Sequence, residues 1–209
     1  MSRVYGGVQA SERSATRRQQ LLEAGLDLLG TDGWNATTVR AVCARARLTP
    51  RYFYESFADL DALLVAVFDS ITDEVADAVL TAVTPPPGDA HATARAAIAA
   101  GLYVLTDDPR KGRVLFAEAI GSEALARRRR ETLRGFAALV AAQGSAFYGV
   151  GKPDDRLVQL SATMLVGGLS EAFAAWLDGE VRATRERLID DCAELFVAIG
   201  EAAVRLAAR

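Results

Sequence analysis

Apolar residues return every three or four positions along nearly the whole chain, and Pro, Gly and capping residues break the rhythm at intervals. Leu21, Leu22, Gly25, Leu28 and Leu29 form one face of a first helix, predicted over about 14–30 and ended by Gly30 and Gly33. Val39, Val42, Cys43 and Ala46 predict a short second helix with Thr38 as its N-cap. Arg47, Leu48 and Thr49 make a turn. Thr49 then caps a third helix with Pro50 at its first position, where the missing N–H costs nothing. Phe53 and Phe57 share one face of it, and Arg51, Tyr52 and Tyr54 point elsewhere. A long helix over 59–83 keeps its rhythm from Leu60 to Val79 and stops at the Thr84–Gly88 loop, which holds three prolines. Further helices are predicted over about 90–105, from Pro109 (capped by Asp108) to near Gly121, from a Ser122 cap to Tyr148, and over 154–178 and 184–207. Residues 1 to about 12, with Gly6 and Gly7, are expected to be mobile. The chain reads as all-α, with a small head over 1–58 and a larger body over 59–209.

Two short helices joined by a tight turn make a helix-turn-helix, which lays its second helix in the major groove of DNA. The charge distribution fits that reading. Net charge is −3 over 209 residues, yet residues 1–57 hold eight arginines and five acids, a net +3. A basic head on an acidic body suits a protein that touches DNA at one end. Arg13, Arg17 and Arg18 crowd the predicted start of the first helix. They oppose its dipole there, so they are either phosphate contacts or a solvated cluster.

The stretch from Thr37 to Phe57 resembles the N-terminal DNA-binding domain of the tetracycline-repressor (TetR) family. Thr38-Val39, Cys43, Thr49, Tyr54 and Phe57 fall on that family's pattern, and the resemblance covers about residues 14–65. Two positions depart from it. Arg47 stands where the family usually has Gly, which implies a strained or reshaped turn. Leu60 stands where it has Lys, with Arg45 and Arg47 as candidate replacements. The expected DNA-facing residues are Thr38, Arg40, Arg47, Thr49, Arg51, Tyr52 and Tyr54. Arg51 and Tyr52 would face base edges, and the resemblance implies that Tyr54 gives its hydroxyl to a phosphate. It also implies a homodimer on a pseudo-palindromic operator.

In the body, Leu188, Cys192, Leu195, Ile199, Ala202 and Leu206 are spaced as a heptad seam. The preceding helix is apolar nearly all round, and Gly167 and Gly168 in its middle suggest close approach of another helix. Gly167, Gly168, Leu188, Cys192, Leu195, Ile199 and Leu206 are therefore the expected dimer contact, a four-helix bundle of two helices from each subunit. Tyr103, Phe116, Phe136, Phe147, Phe173, Trp176 and Met164 exceed what amphipathic faces need. Thr106, Gln143, Thr163 and Ser170 could orient a ligand among them, so these residues read either as a core or as a mostly apolar small-molecule site. The arginine run 127–130 wraps most of a helix, so one arginine must leave the solvated face, ion-paired or holding an anion.

Other chemistry falls away. The single histidine, His91, has no metal-ligand neighbour in sequence. The glycine loop near Lys152 has Ala146 and Pro153 where a phosphate-binding loop needs Gly and Ser or Thr. No catalytic constellation is present, and neither a cofactor nor a metal is expected. Two separated cysteines, no apolar leader and no apolar run of about 18 residues point to a cytoplasmic protein with no membrane span. The resulting expectation is a ligand-responsive transcriptional regulator, a repressor released from its operator by a small molecule. The alternative is a helical small-molecule-binding dimer that has lost sequence-specific DNA binding through Arg47 and Leu60.

Overall fold

The computed structural model describes residues 5–84, 89–117, 122–149 and 155–207. Among these are nine α-helices, one 3₁₀ turn (Trp34–Ala36) and no strand. The helices are α1 Tyr5–Thr31, α2 Val39–Ala46, α3 Pro50–Ser56, α4 Leu60–Ala82, α5 Ala90–Asp107, α6 Pro109–Phe116, α7 Glu123–Tyr148, α8 Arg156–Leu177 and α9 Arg185–Ala207. The all-α expectation holds. Predicted borders lie within about two residues of these except at the start of α1 and the end of α6. The expected end near Gly121, and the glycine loop from Val150 to Asp154, lie outside the described residues.

The start of α1 corrects the sequence reading. The stretch expected to be mobile is helical from Tyr5 onward. Gly6 and Gly7 each weaken a helix by about 1 kcal/mol, but extending a helix already anchored by packing avoids the cost of nucleation. Gln9, Ala10 and Glu12 favour the extension, and the Thr16 hydroxyl donates to the Glu12 carbonyl at 2.9 Å.

Capping fixes most other helix starts. The Ala41 N–H donates to Thr38 Oγ1 at 3.1 Å, and the Ala62 N–H to Asp59 Oδ1 at 2.8 Å. Asp155 accepts from Leu157 at 2.9 Å, and Ser122 from Ala124 at 3.2 Å. Thr49 is the exception. It is the cap residue of α3, but its side chain makes no capping bond and its carbonyl takes the first N–H groups instead. Pro50 already removes one orphan donor there.

The helices gather into two compact units. The first is Met1–Ile71 with Asp108–Arg127 and the second is Thr72–Asp107 with Arg128–Arg209, so the division does not fall at 58/59. The reason lies in α1. Leu63, Leu64, Val67 and Phe68 of α4 are buried in the first unit. A Cβ on Gly25 of α1 would lie 3.1 Å from Val67 and 3.3 Å from Leu63. Helix α6 packs along α1 as well. In the second unit α9 packs on α5 and α8, and Ala137, Ala141 and Ala162 make a small-residue core between α7 and α8. By length and composition α8 could cross a membrane, with a mean hydropathy of 1.3. It carries Glu171, which pairs with Arg129 of α7 at 2.8 Å, and it packs on α9.

Candidate nucleic-acid interface

Helices α1, α2 and α3 pack on one another through Leu21, Leu22, Val42, Cys43, Phe53 and Phe57, all buried. Cys43 is an inward packing residue, and burial pushes its thiol pKa up, away from thiolate chemistry. The turn between α2 and α3 keeps its glycine geometry without glycine. Arg47 takes φ 55°, ψ 38°, in the left-handed region. The Leu48 N–H donates to the Cys43 carbonyl at 2.9 Å and the Arg47 N–H to Ala44 at 3.2 Å, the paired bonds of a Schellman end. The expected strain is present, and the turn is formed in spite of it.

Burial of Phe53 and Phe57 turns the opposite side of α3 outward. Arg51 is 84% exposed and Tyr54 61% exposed. Thr38, Arg40, Arg47 and Thr49 are exposed too, and Tyr52 is half-buried. Tyr52 is held by a contact that the sequence did not reveal: the Arg17 guanidinium of α1 lies 4.4 Å above its ring. Arg18 stacks on Phe57 at 4.8 Å in the same way. Because α1 begins at Tyr5, these arginines sit well past its first turn, and the dipole argument made for them does not apply. Arg45 is engaged by Asp27 and Asp32. That leaves Arg47 as the exposed cation at the turn. Glu55 was not singled out from sequence, although its spacing from Arg51 was visible there; it accepts from Arg51 Nε at 3.0 Å.

Behind the motif, α6 is clamped to α1. Arg110 bonds Asp108 at 2.8 Å and Glu23 at 2.9 Å, and approaches Asp27 at 3.4 Å. The guanidinium holds the Asp108 carboxyl below its ordinary range. Arg113 donates to the Thr31 carbonyl at 2.7 Å, at the C-terminal end of α1. A Cβ on Gly30 would lie 2.5 Å from the Arg110 Cβ, so α1 and α6 approach as closely as they do only because residue 30 is glycine.

Residues 21–67, which hold the helix-turn-helix and the α1 and α4 faces that support it, match the family model described as bacterial regulatory proteins, tetR family. Over these residues the chain carries a tetR-family DNA-binding domain, and it is a DNA-binding transcriptional regulator. The fatty acid degradation regulator FadR of Bacillus halodurans superposes with a TM-score of 0.71 at 16% identity, covering 86% of this chain and 94% of that one. FadR of Bacillus subtilis, solved with stearoyl-CoA, gives 0.69 at 17% identity, covering 86% and 97%. A TetR-like regulator from Rhodococcus sp. RHA1 gives 0.64 at 20% identity, covering 91% and 97%. At these identities the likeness speaks for the fold, which extends over both units. No curated protein matches the chain in sequence.

The body of the regulator rearranges the expected sites. Phe173 is buried, and Tyr103, Phe136, Ser170 and Trp176 are half-buried. Several of their polar atoms are already engaged. The Tyr103 hydroxyl donates to Glu186 at 2.7 Å, Trp176 Nε1 donates to the Ala183 carbonyl at 2.9 Å, and Ser170 accepts from Arg129 at 3.2 Å. The Glu186 bond raises the Tyr103 pKa. Gln143, Phe147, Thr163 and Met164 are exposed, with Met164 at 58%, so the structure does not bring them together with Phe173. Helical phase explains this: Met164 lies one turn from Leu160 and Gly168 on the open side of α8, opposite the face that buries Ala162 and Leu165. Phe116 belongs to the first unit, not to the second with the others.

The predicted seam is likewise split. Leu195, Ile199 and Leu206 are exposed, Cys192 is half-buried, and Leu188 is buried within its own subunit. Leu188 and Leu206 are five turns apart and lie on one line of the helix. Neighbouring chain covers only the first. Gly167 and Gly168 have nothing within 4 Å of a built Cβ, so no close approach at these glycines occurs inside the subunit. The arginine run resolves through ion pairs to Glu123, Glu131 and Glu171. His91 Nε2 faces Glu194 at 3.4 Å.

Proposed function

We propose that the regulator is a cytoplasmic homodimeric repressor that reads a pseudo-palindromic operator with α3 and is released by a mostly apolar small molecule. The observation that carries this reading is the anchoring of α3: Phe53 and Phe57 are buried while Arg51 and Tyr54 stand outward on a short helix. Arginine is the commonest bidentate reader of guanine, and a tyrosine hydroxyl suits a phosphate oxygen. Arg47, Arg40, Thr38 and Thr49 surround them as backbone contacts. The left-handed Arg47 keeps the turn intact, which favours this reading over one in which DNA binding has been lost.

For the dimer, Leu160 and Met164 with Gly168 on α8, and Leu195, Ile199 and Leu206 on α9, form an exposed apolar face that a second copy would cover. Met164, weighed first as a ligand contact, belongs to this face. For the effector, Phe173 with Tyr103, Phe136 and Trp176 are the remaining candidate lining. The Bacillus subtilis FadR of the same fold was solved with stearoyl-CoA, which makes long acyl thioesters the first compounds to screen. A ligand shifts DNA occupancy only by its differential affinity for the DNA-bound and free conformations.

The test is selection of duplexes from a random pool, followed by reporter transcription from the selected sequence. An enriched palindrome, transcription that rises when the gene is deleted, and release by an apolar ligand are expected. No enrichment at all would sink the DNA reading. Enrichment with transcription that falls on deletion would make the protein an activator.

A further inference from the structure

Recognition helix α3 carries a single acid, Glu55. It accepts from Arg51 Nε at 3.0 Å, one turn earlier on the same helix. Its other oxygen lies 3.8 Å from Arg17 Nη2 of α1, the arginine that stacks on Tyr52. Helix stability does not account for this arrangement. Arg51 stands in the first turn and Glu55 in the last, so each charge opposes the helix dipole. The favourable order for such a pair, acid before base, is also reversed. A carboxylate on a DNA-facing helix repels phosphate as well, so it lowers general affinity for nucleic acid.

We propose that Glu55 is a specificity-determining positioning residue. By engaging Nε it fixes the Arg51 fork and leaves the two terminal nitrogens to meet O6 and N7 of a guanine together. Its charge meanwhile disfavours complexes in which Arg51 and Arg17 only pair with phosphates. Discrimination is gained at the expense of general affinity. This inference rests on the reading of α3 as the base-reading helix.

The experiment uses the full chain as wild type and as Glu55→Gln, Glu55→Ala and Glu55→Asp. The probes are the duplex most enriched by wild type from a random pool, the same duplex with each guanine replaced in turn, and a random-sequence duplex of equal length. Affinities are measured over a range of salt concentrations, with thermal melts alongside. Glu55→Gln keeps an acceptor oxygen but loses the charge. It should bind the random duplex more tightly, with a salt slope steeper by about one. Glu55→Ala should do the same and also lose about tenfold of the preference at one guanine per half-site. Glu55→Asp keeps the charge but is too short to hold Nε. It should lose the guanine preference with the slope unchanged, and it serves if the alanine variant does not fold. Unchanged guanine preference in Glu55→Ala and Glu55→Asp would overturn the proposal, as would equal weakening on all duplexes. If wild type enriches no sequence, the base-reading role of α3 fails and takes this proposal with it. That outcome is distinct from one in which the enriched sequence survives loss of Glu55.

Discussion

Arg47 concentrates the residue-scale question. A non-glycine residue in the left-handed region costs about 1–2 kcal/mol, and Arg47 is the one such residue among those described. The side chain it presents is exposed at the turn of the motif. Strain of this kind points to function when the alternative residue would be easier to accommodate. Arg47→Gly should therefore raise stability by about 1 kcal/mol in urea titrations. If Arg47 meets a phosphate, the same change should weaken binding to all duplexes about equally and lower the salt slope by about one. A more stable variant with unaltered DNA affinity would remove Arg47 from the interface. The family resemblance marked Arg47, whereas the Arg51–Glu55 pair, although spaced four residues apart, was not singled out. The stacking of Arg17 on Tyr52 could not be read there, because it joins side chains 35 positions apart through the packing of α1 on α3.

At the scale of elements, α6 is the one whose place was least legible. Its eight residues carry an ordinary apolar rhythm and a Pro start, which say that a helix forms but not where it packs. Its partner is α1, through Gly30 and the Arg110 cluster. Gly30→Ala should destabilise the protein by about 1–3 kcal/mol, because the added methyl meets Arg110 Cβ and backbone rather than a flexible side-chain tip. Chemical denaturation measures this, and a neutral result would mean that α6 yields freely. The same cluster sets a pH dependence. Asp108 has a lowered folded pKa, so its contribution to stability is present above the ordinary carboxylate value of about 3.9 and is lost as pH falls through the depressed value. Asp108→Asn should lower stability at pH 7 and narrow the gap between pH 7 and pH 3 in urea melts. An undiminished gap would assign the acid sensitivity to other carboxylates.

For the whole molecule, the open apolar rows on α8 and α9 are the feature a single chain leaves unsatisfied. Leu195 is 62% exposed, so Leu195→Glu should leave the subunit folded while opposing association of two copies. Sedimentation should then show monomers. Operator affinity should fall steeply, since each half-site is held by one head. A dimer that persists would place the subunit contact elsewhere. Leu188→Glu is the contrasting variant: Leu188 is buried within its own subunit, so that change should impair folding itself.

Apart from the start of α1 and the Thr49 cap, sequence alone determined the helices, their caps and the motif, because each depends on local chemistry: apolar spacing, a Thr or Asp before a helix, a Pro at its first position. It also determined which face of α3 is apolar, since Phe53 and Phe57 lie four residues apart. Only the tertiary structure decided which apolar residues are used up inside the subunit. Leu188 and Leu206 are equivalent by composition and spacing, and they differ in whether another helix covers them. The grouping of α6 and the first half of α4 with the head was decided in the same way, by long-range packing on α1 at Gly25 and Gly30, where the absence of a side chain sets how near another helix can come.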